Sequence, residues 1–504
     1  MPLLPPLETP RIDRHRGVLS ARATAQLDAV LAIVPETAEQ GLLAALPEGE
    51  RWQHLHARSK PRAGTVRSTT LANARQTLAV LGYVRTQASA FERLLVAGRM
   101  LKEVASREVE SLALVAPAAS ASPELSLDAL LSAALAQAFT LPDFRSARGA
   151  PKRIRRIVLA GATVPDLDHC VAAARGNNLA RWLTALPPNE LDAPAYRRAI
   201  AQLARRHGLA MRWLDERALK RLGANAFLAV SAGNARRVAG IAHLRYRPPR
   251  ARAARPDLAL VGKGILFDTG GVNLKPHRAM LDMHTDMAGS AVALATLVAL
   301  AELRAPLAAD AWLAITENRI GPTAYRPQEV VRAANGVTIQ VVHTDAEGRM
   351  VLADTLALAA RTRPRFMLDF ATLTGACVYA LTERMSGVFC NRPQLAELLV
   401  AAGRASGERV WSFPLDEDFD TDIESKVADV LQCAVDGKGD HILATRFLSR
   451  FVPADIPWAH VDLSSATRSG GLAHINTDVT GFGVRFALEA ILRQRILERL
   501  EERR

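Results

Sequence analysis

The chain has 504 residues, too many for one ordinary hydrophobic core, so two domains are the default. Hydrophobic residues at 49% and charged residues at 23% are those of a soluble globular protein, and four widely spaced cysteines (Cys170, Cys377, Cys390, Cys433) without a C-x-x-C argue against a disulfide scaffold or a thiolate zinc site. The net charge of +13 rests on Arg far more than Lys and invites a nucleic-acid reading, but aromatics are only 5% and no basic stretch is interleaved with them, which favours a solvated Arg-rich surface.

From the start, Met1 to Glu8 has neither a basic n-region nor an apolar h-region, so no signal peptide is expected. Residues 1–166 mix strand-like and helical segments. Within them Ala116 to Pro123 reads as an exposed loop, and Lys152 to Ala160 as a strand with a basic preface. Asp166 to Leu186 is helix-like and is ended by Pro187-Pro188-Asn189; residues 167–187 are taken as the connector between domains. In 188–504, strands at Ile241–Arg245, Leu258–Val261, Ala311–Thr316, Thr338–Val342 and Phe366–Phe370 alternate with helices at Pro194–His207, Met287–Leu303 and Met350–Arg361. That alternation implies an α/β layered domain with a central, largely parallel or mixed sheet. Ligands of such sheets gather at the carboxyl ends of the strands. The longest apolar run, Ala291 to Ala301, is too short to span a bilayer, so a cytoplasmic protein with no membrane partner is expected.

Two polar stretches interrupt this pattern. One is His343-Thr-Asp345-Ala-Glu347-Gly-Arg349, after the β-branched run Val337 to Val342. Read as an extended segment, it puts Asp345, Glu347 and Arg349 on one face, two oxygen ligands beside one fixed cation. The other is Val261-Gly-Lys263-Gly-Ile-Leu-Phe-Asp268-Thr-Gly-Gly-Val-Asn-Leu-Lys275-Pro276, followed by Asp282-Met283-His284-Thr285-Asp286-Met287. Lys263, Asp268, Lys275 and Asp286 are charged residues in apolar or glycine surroundings. Lys263 is followed by Gly264, so a phosphate-binding P-loop fails.

In order and spacing these stretches resemble the leucyl aminopeptidase (cytosol aminopeptidase) family of two-metal exopeptidases. Further similarity runs through Asn177–Arg181, Leu186–Asn189, Ala371–Ala376 and Thr480–Arg485, so the resemblance covers roughly residues 175–490. It implies a smaller N-terminal α/β domain and a larger catalytic α/β domain, with a binuclear site at one edge of its sheet. It also implies a homohexamer of two trimers whose enclosed sites admit short peptides.

By motif position the resemblance assigns a tighter metal site to Lys263, Asp268, Asp286 and Glu347. A looser one falls to Asp268, Asp345 with its carbonyl oxygen, and Glu347. Two divalent ions would balance the four carboxylates, and a water shared between ions ~3.5–4 Å apart has its pKa lowered toward ~7. Zinc or manganese is expected, with magnesium or cobalt as alternatives. The resemblance makes Lys275 the electrophile that steadies the tetrahedral intermediate, and Arg349 the holder of a bicarbonate ion that accepts the water's proton. The alternative for Arg349 is an ion pair to Asp345 or Glu347. Met283, Thr372, Leu373, Gly375, Ser464 and Thr467 would form the substrate pocket, with backbone bonds from Leu373 and Gly375.

The sequence departs from the family in places. Ser464 and Thr467 are more polar than the family's residues, which puts a preference for Leu as first residue in doubt. His284, His343 and His441 are also unusual, and Ala288-Gly289-Ser290 stands where the family often has Gly-Gly-Ala. His343 is expected to be a structural or supporting group rather than a ligand. His441, beside Asp440, stands in place of a glycine-rich segment. Some bacterial members of the family also bind DNA through the N-terminal domain, and Arg11 to Arg16 and Lys152 to Arg156 are the candidate path here.

Overall fold

The structure is a computed structural model and describes residues 2–6, 9–59, 61–117, 122–146, 153–161, 166–248 and 255–502. The middle of the loop expected over Ala116–Pro123, and Lys152 of the basic preface, lie outside the described residues. The protein is α/β throughout, built on two main sheets.

The N-terminal sheet contains β1 (Arg11–Arg16), β2 (Ala29–Pro35), β3 (Val66–Thr70), β4 (Leu78–Val84), β5 (Ser111–Ala116) and β6 (Arg156–Gly161), in the order β1-β6-β5-β2-β4-β3. All its pairings are parallel except β3 with β4. Central β2 and β4 are buried on both faces, which is why they read as unbroken apolar runs. Helices Ala90–Ala105 and Pro123–Gln137 cover one face.

The helix Leu167–Ala185 follows, its first turn capped by Asp166, whose carboxylate accepts from His169 N at 3.1 Å. It leads into an eight-stranded mixed sheet. Its strands are β7 (Ala210–Asp215), β8 (Gly240–Tyr246), β9 (Leu258–Asp268), β10 (Ala309–Asn318), β13 (Phe366–Ala371), β14 (Ser386–Cys390), β15 (Val410–Ser412) and β17 (Trp458–Asp462). Their order is β15-β14-β17-β13-β9-β10-β8-β7, and β10, β9, β13 and β17 run parallel. Alternation along β9 feeds two cores. Leu258 and Leu260 pack with helices Leu167–Ala185, Ala193–Arg206 and Ala288–Glu302, while Ala259 and Val261 pack with Asn225–Ser231, Glu347–Ala360 and Asp440–Ser449. Two facing layers of helix therefore enclose the sheet.

The structure corrects several expectations. β9 does not stop at Val261 but continues to Asp268, because β10 pairs it along that extension while β13 pairs it as far as Gly262. The strand expected at Thr338–Val342 is short, β12 (Thr338–Gln340). It belongs to a separate three-stranded sheet with β11 (Val330–Arg332) and β16 (Val430–Leu431). Residues 345–349 are not extended: Asp345 lies in a turn and Glu347 opens the helix Glu347–Ala360. The cause is side-chain capture of the backbone before it. Thr344 N donates to Asn273 Oδ1 at 2.9 Å, and Gln432 Oε1 accepts from Val342 N and His343 N, each at 3.0 Å. By length and composition His277–Glu302 could cross a bilayer, contrary to the expectation from its longest apolar run, but the helix Ala288–Glu302 is buried against the sheet and the 167–185 helix.

The two units are tied by the Thr480–Arg485 stretch. Arg485 pairs with Asp128 of the N-terminal unit and donates to Ser132 Oγ at 2.8 Å, and Asn177 Nδ2 donates to Thr480 O at 2.9 Å. Part of the family-like sequence therefore joins the units rather than lining the site.

Helix Ala288–Glu302 approaches β9 and β13 unusually closely. A Cβ on Gly262 would stand 2.5 Å from Ser290 Cα, and one on Gly289 would stand 2.2 Å from Phe370 O. Both contacts are to backbone, so neither can be relieved by turning a side chain. Gly289→Ala should lower the denaturation midpoint by an amount worth about 1–3 kcal/mol, the usual cost of overpacking. An unchanged midpoint in urea would show that helix and sheet part without cost.

Candidate metal centre

The carboxyl ends of the parallel strands supply the site. Lys263 lies within β9 and Asp268 ends it, Asn318 ends β10, Thr372 follows β13, and Asp462 ends β17. β9 is central in the sheet, so the site sits at the carboxyl ends of the middle strands, where ligands of such sheets gather.

Asp268, Asp286 and Glu347 are buried and present ligand oxygens within 4.8 Å of one another. Lys263 Nζ lies 2.8 Å from Asp286, 2.9 Å from Glu347 and 3.0 Å from the Thr372 carbonyl oxygen. It passes beside Gly348, where a Cβ would come within 2.7 Å of Nζ. Lys275 Nζ lies 2.9 Å from Asp268 and 2.5 Å from Asp345. Asp345 is thus joined to the cluster through Lys275 and is less buried than the other three.

Four carboxylates therefore face two ammonium groups in a mostly buried site. Burial, then repulsion from Glu347 and Asp268, pushes Asp286 up to about 7 despite Lys263. Burial and then Asp268 push Glu347 up to about 7, and the same two causes push Asp345 to about 6. Burial opposes the charge on both lysines, but the surrounding carboxylates outweigh it and hold both well above the usual lysine range. Glu347 Oε1 faces Lys263, while Oε2 is buried with no hydrogen-bond partner among the described residues. Excess buried negative charge, converging oxygens and an orphan carboxylate oxygen all fit divalent cations.

Residues that the sequence reading missed hold this cluster in place. Asn318 Nδ2 donates to Asp268 Oδ1 at 2.8 Å and to Thr344 O at 3.0 Å. Tyr325 OH donates to Thr344 O at 2.8 Å, and Gln432 Nε2 donates to Ala346 O at 3.0 Å. Asn318 had one usable signal, its place at the end of a strand; Tyr325 and Gln432 had none.

The expected pocket residues divide. Thr372 serves the cluster, its hydroxyl donating to Asp286 Oδ1 at 2.7 Å. Leu373 spends its amide on Asp462 Oδ1 at 3.0 Å, which leaves its carbonyl for a ligand. Gly375 is exposed at the start of helix Gly375–Leu381, and Met283 and Thr467 are half-buried. Ser464 is not a free pocket hydroxyl: it is buried and donates to Met385 O at 2.6 Å.

Of the histidines, His343 Nδ1 accepts from Asp345 N at 3.3 Å, a supporting contact. His284 is not part of the carboxylate cluster. His441 stands edge-on to Phe413, with ring centroids 4.6 Å apart.

Arg349 pairs with neither Asp345 nor Glu347. Its Nη2 donates to both oxygens of Asp440, at 2.8 and 2.7 Å, and its Nη1 to Gln432 O at 3.3 Å. Nε has no hydrogen-bond partner among the described residues. A bicarbonate does not fit here, because a carboxylate already occupies the guanidinium and a second anion at Nε would lie against it.

The catalytic-domain model of the cytosol aminopeptidase family matches residues 178–488. A "Probable cytosol aminopeptidase" of Syntrophotalea carbinolica is 41% identical over 325 residues, 63% of this chain and 63% of that protein. One of the same description from Synechococcus sp. (strain CC9605) is 36% identical over 433 residues, 84% of this chain and 88% of that protein. Among solved structures, the bottromycin maturation enzyme BotP in complex with Mn superposes with a TM-score of 0.81 at 30% identity, covering 94% of this chain and all of that one.

The raised carboxyl groups set a pH signature. Against ordinary values of 3.8 and 4.5, folded values of about 6 to 7 mean that the metal-free fold holds protons the unfolded chain has released. This contribution to stability is complete below the ordinary values and is lost as pH rises through the folded ones. The Tm of metal-stripped protein should therefore decline from pH 5 to pH 8, and manganese should raise Tm more at pH 8, where it displaces fewer carboxyl protons. Equal manganese shifts at both pH values would count against binding at these carboxylates.

Proposed function

The chain belongs to the cytosol aminopeptidase family, which makes it a peptidase by membership, and on that premise we propose that it removes amino-terminal residues from short peptides with two divalent metal ions at this centre. The observation that carries the reading is the buried Asp268–Asp286–Glu347 cluster with its orphan Glu347 oxygen.

Lys263, Asp268, Asp286 and Glu347 would hold one ion, and Asp268, Asp345 and Glu347 the other. Bound there, the ions would supply an acidified water and a Lewis acid toward the peptide carbonyl. Lys263 now carries its proton among acids and would have to lose it to coordinate, which a dication beside it favours. Lys275, its side chain 14% exposed against 4% for Lys263, is the more accessible of the two cations and would stabilise negative charge growing on the carbonyl oxygen. Zinc and manganese are the first choices for the metal, and the manganese complex of BotP supports the latter.

Met283, Thr372, the Leu373 carbonyl, Gly375 and Thr467 would meet the substrate's first residue. With Ser464 spent on Met385, Thr467 is what remains of the polar drift in that pocket. Residues 1–166, 167–187 and 188–504 are proposed as N-terminal unit, connector and catalytic unit. A cytoplasmic homohexamer with enclosed sites would restrict entry to short peptides. DNA binding is not carried forward: Arg11 and Arg156, two of its candidate contacts, both pair with Asp13.

A panel of aminoacyl-p-nitroanilides tests the reading. Metal-stripped protein should be inactive, manganese or zinc should restore cleavage, N-acetylated substrates should resist, and Glu347→Ala should stay inactive with either metal. Undiminished cleavage by metal-stripped protein, or no cleavage of any free-amine substrate, would sink it.

A further inference from the structure

We propose that Asp440 is this chain's built-in replacement for a bound bicarbonate: held on Arg349, its carboxylate carries the proton during hydrolysis. The inference rests on the aminopeptidase reading and goes beyond it.

Arg349 lies one residue past Gly348 in the first turn of the helix that Glu347 opens, so its guanidinium is anchored to the same turn as a cluster carboxylate. Its side chain is only 2% exposed, and an anion beside it offsets the cost of burying its charge. The chain provides one. Asp440 opens the helix Asp440–Ser449, and Gly439 before it turns with a φ of +61°. Gln432, on the strand side of the same loop, holds the 342–346 backbone through three hydrogen bonds and gives its own carbonyl to Arg349. The loop bearing Asp440 is therefore clamped to the segment bearing Asp345 and Glu347.

A further observation favours a reactive role over a purely structural pair. Asp440 keeps 25% of its side chain exposed while its partner is buried, so part of the carboxylate stays accessible to water.

The step balances without an added ion. An O–H bond of the attacking water breaks and its proton goes to an Asp440 oxygen. The water oxygen bonds to the peptide carbonyl carbon. As the C–N bond breaks, the same proton passes to the leaving amine, and Asp440 is a carboxylate again. Arg349 positions the carboxylate throughout.

The test compares wild type with Asp440→Gly and Asp440→Asn, as manganese-loaded enzyme in carbon-dioxide-free buffer with and without added bicarbonate. A second readout uses metal-free protein: line broadening of 13C-bicarbonate in NMR, which needs no turnover. Wild type should run at the same rate in both buffers and leave the bicarbonate line sharp. Asp440→Gly should slow by about 100-fold or more, the usual worth of a positioned proton acceptor, should recover at least about tenfold with bicarbonate, and should broaden its line. Asp440→Asn, which keeps the space filled but takes no proton, should be slow and gain nothing from bicarbonate. Stimulation of wild type by bicarbonate would overturn the proposal. So would full activity in Asp440→Gly, or a slow Asp440→Gly that binds bicarbonate without recovering. A wild type that cleaves nothing would overturn the aminopeptidase reading and the proton-transfer role with it, while bicarbonate binding by Asp440→Gly alone would still assign the anion on Arg349.

Discussion

Everything at this centre depends on holding like charges together away from water. Asp268, Asp286 and Glu347 repel one another inside the protein, and desolvation adds to the cost. Two lysines offset part of it, and the remainder is an unmet demand for positive charge. Such a cluster persists only if the surrounding fold is stiff enough to forbid the side chains from swinging out. The site is best understood as strain maintained by the sheet and made useful by cations.

The stiffness has identifiable sources. Four parallel strands end side by side, so Asp268, Asn318, Thr372 and Asp462 come from adjacent, mutually hydrogen-bonded backbone. The Ala288–Glu302 helix, which begins two residues after Asp286, lies almost in backbone contact with β9 and β13 through Gly262 and Gly289. Polar side chains finish the job where the ladder stops. Asn318 and Tyr325 both bond the Thr344 carbonyl oxygen, and Asn318 also bonds Asp268, so one network fixes the two acidic segments relative to each other.

The Arg349–Asp440 pair shows how a site can differ from the one the resemblance implied without losing a ligand. The resemblance implied an external anion on Arg349. The chain places its own carboxylate there, on a helix that packs with the Glu347–Ala360 helix on one face of the sheet. His441 beside it packs on Phe413, which ties the start of that helix to the segment after β15. A resident carboxylate is present at full occupancy and needs no ion from solution; its cost is a second buried-to-half-buried charge pair that must be kept aligned.

Much of this was legible in the chain. The motif residues Lys263, Asp268, Lys275, Asp286, Asp345 and Glu347, and the α/β alternation around them, follow from local pattern, because strand and helix periodicity and short charged motifs are properties of neighbouring residues. Four things were decided only by tertiary structure. The continuation of β9 to Asp268 depends on pairing with β10. The turn at Asp345 depends on Asn273 and Gln432, residues 71 and 89–90 positions away from those they hold. The partner of Arg349, 91 positions distant, and the burial of the Ser464 hydroxyl against Met385, 79 positions distant, are likewise set by packing. Sequence spacing determines which groups the chain owns and which way short segments run; only folding, by bringing remote side chains within hydrogen-bond range and excluding water, determines which of those groups are already satisfied and which still need a ligand.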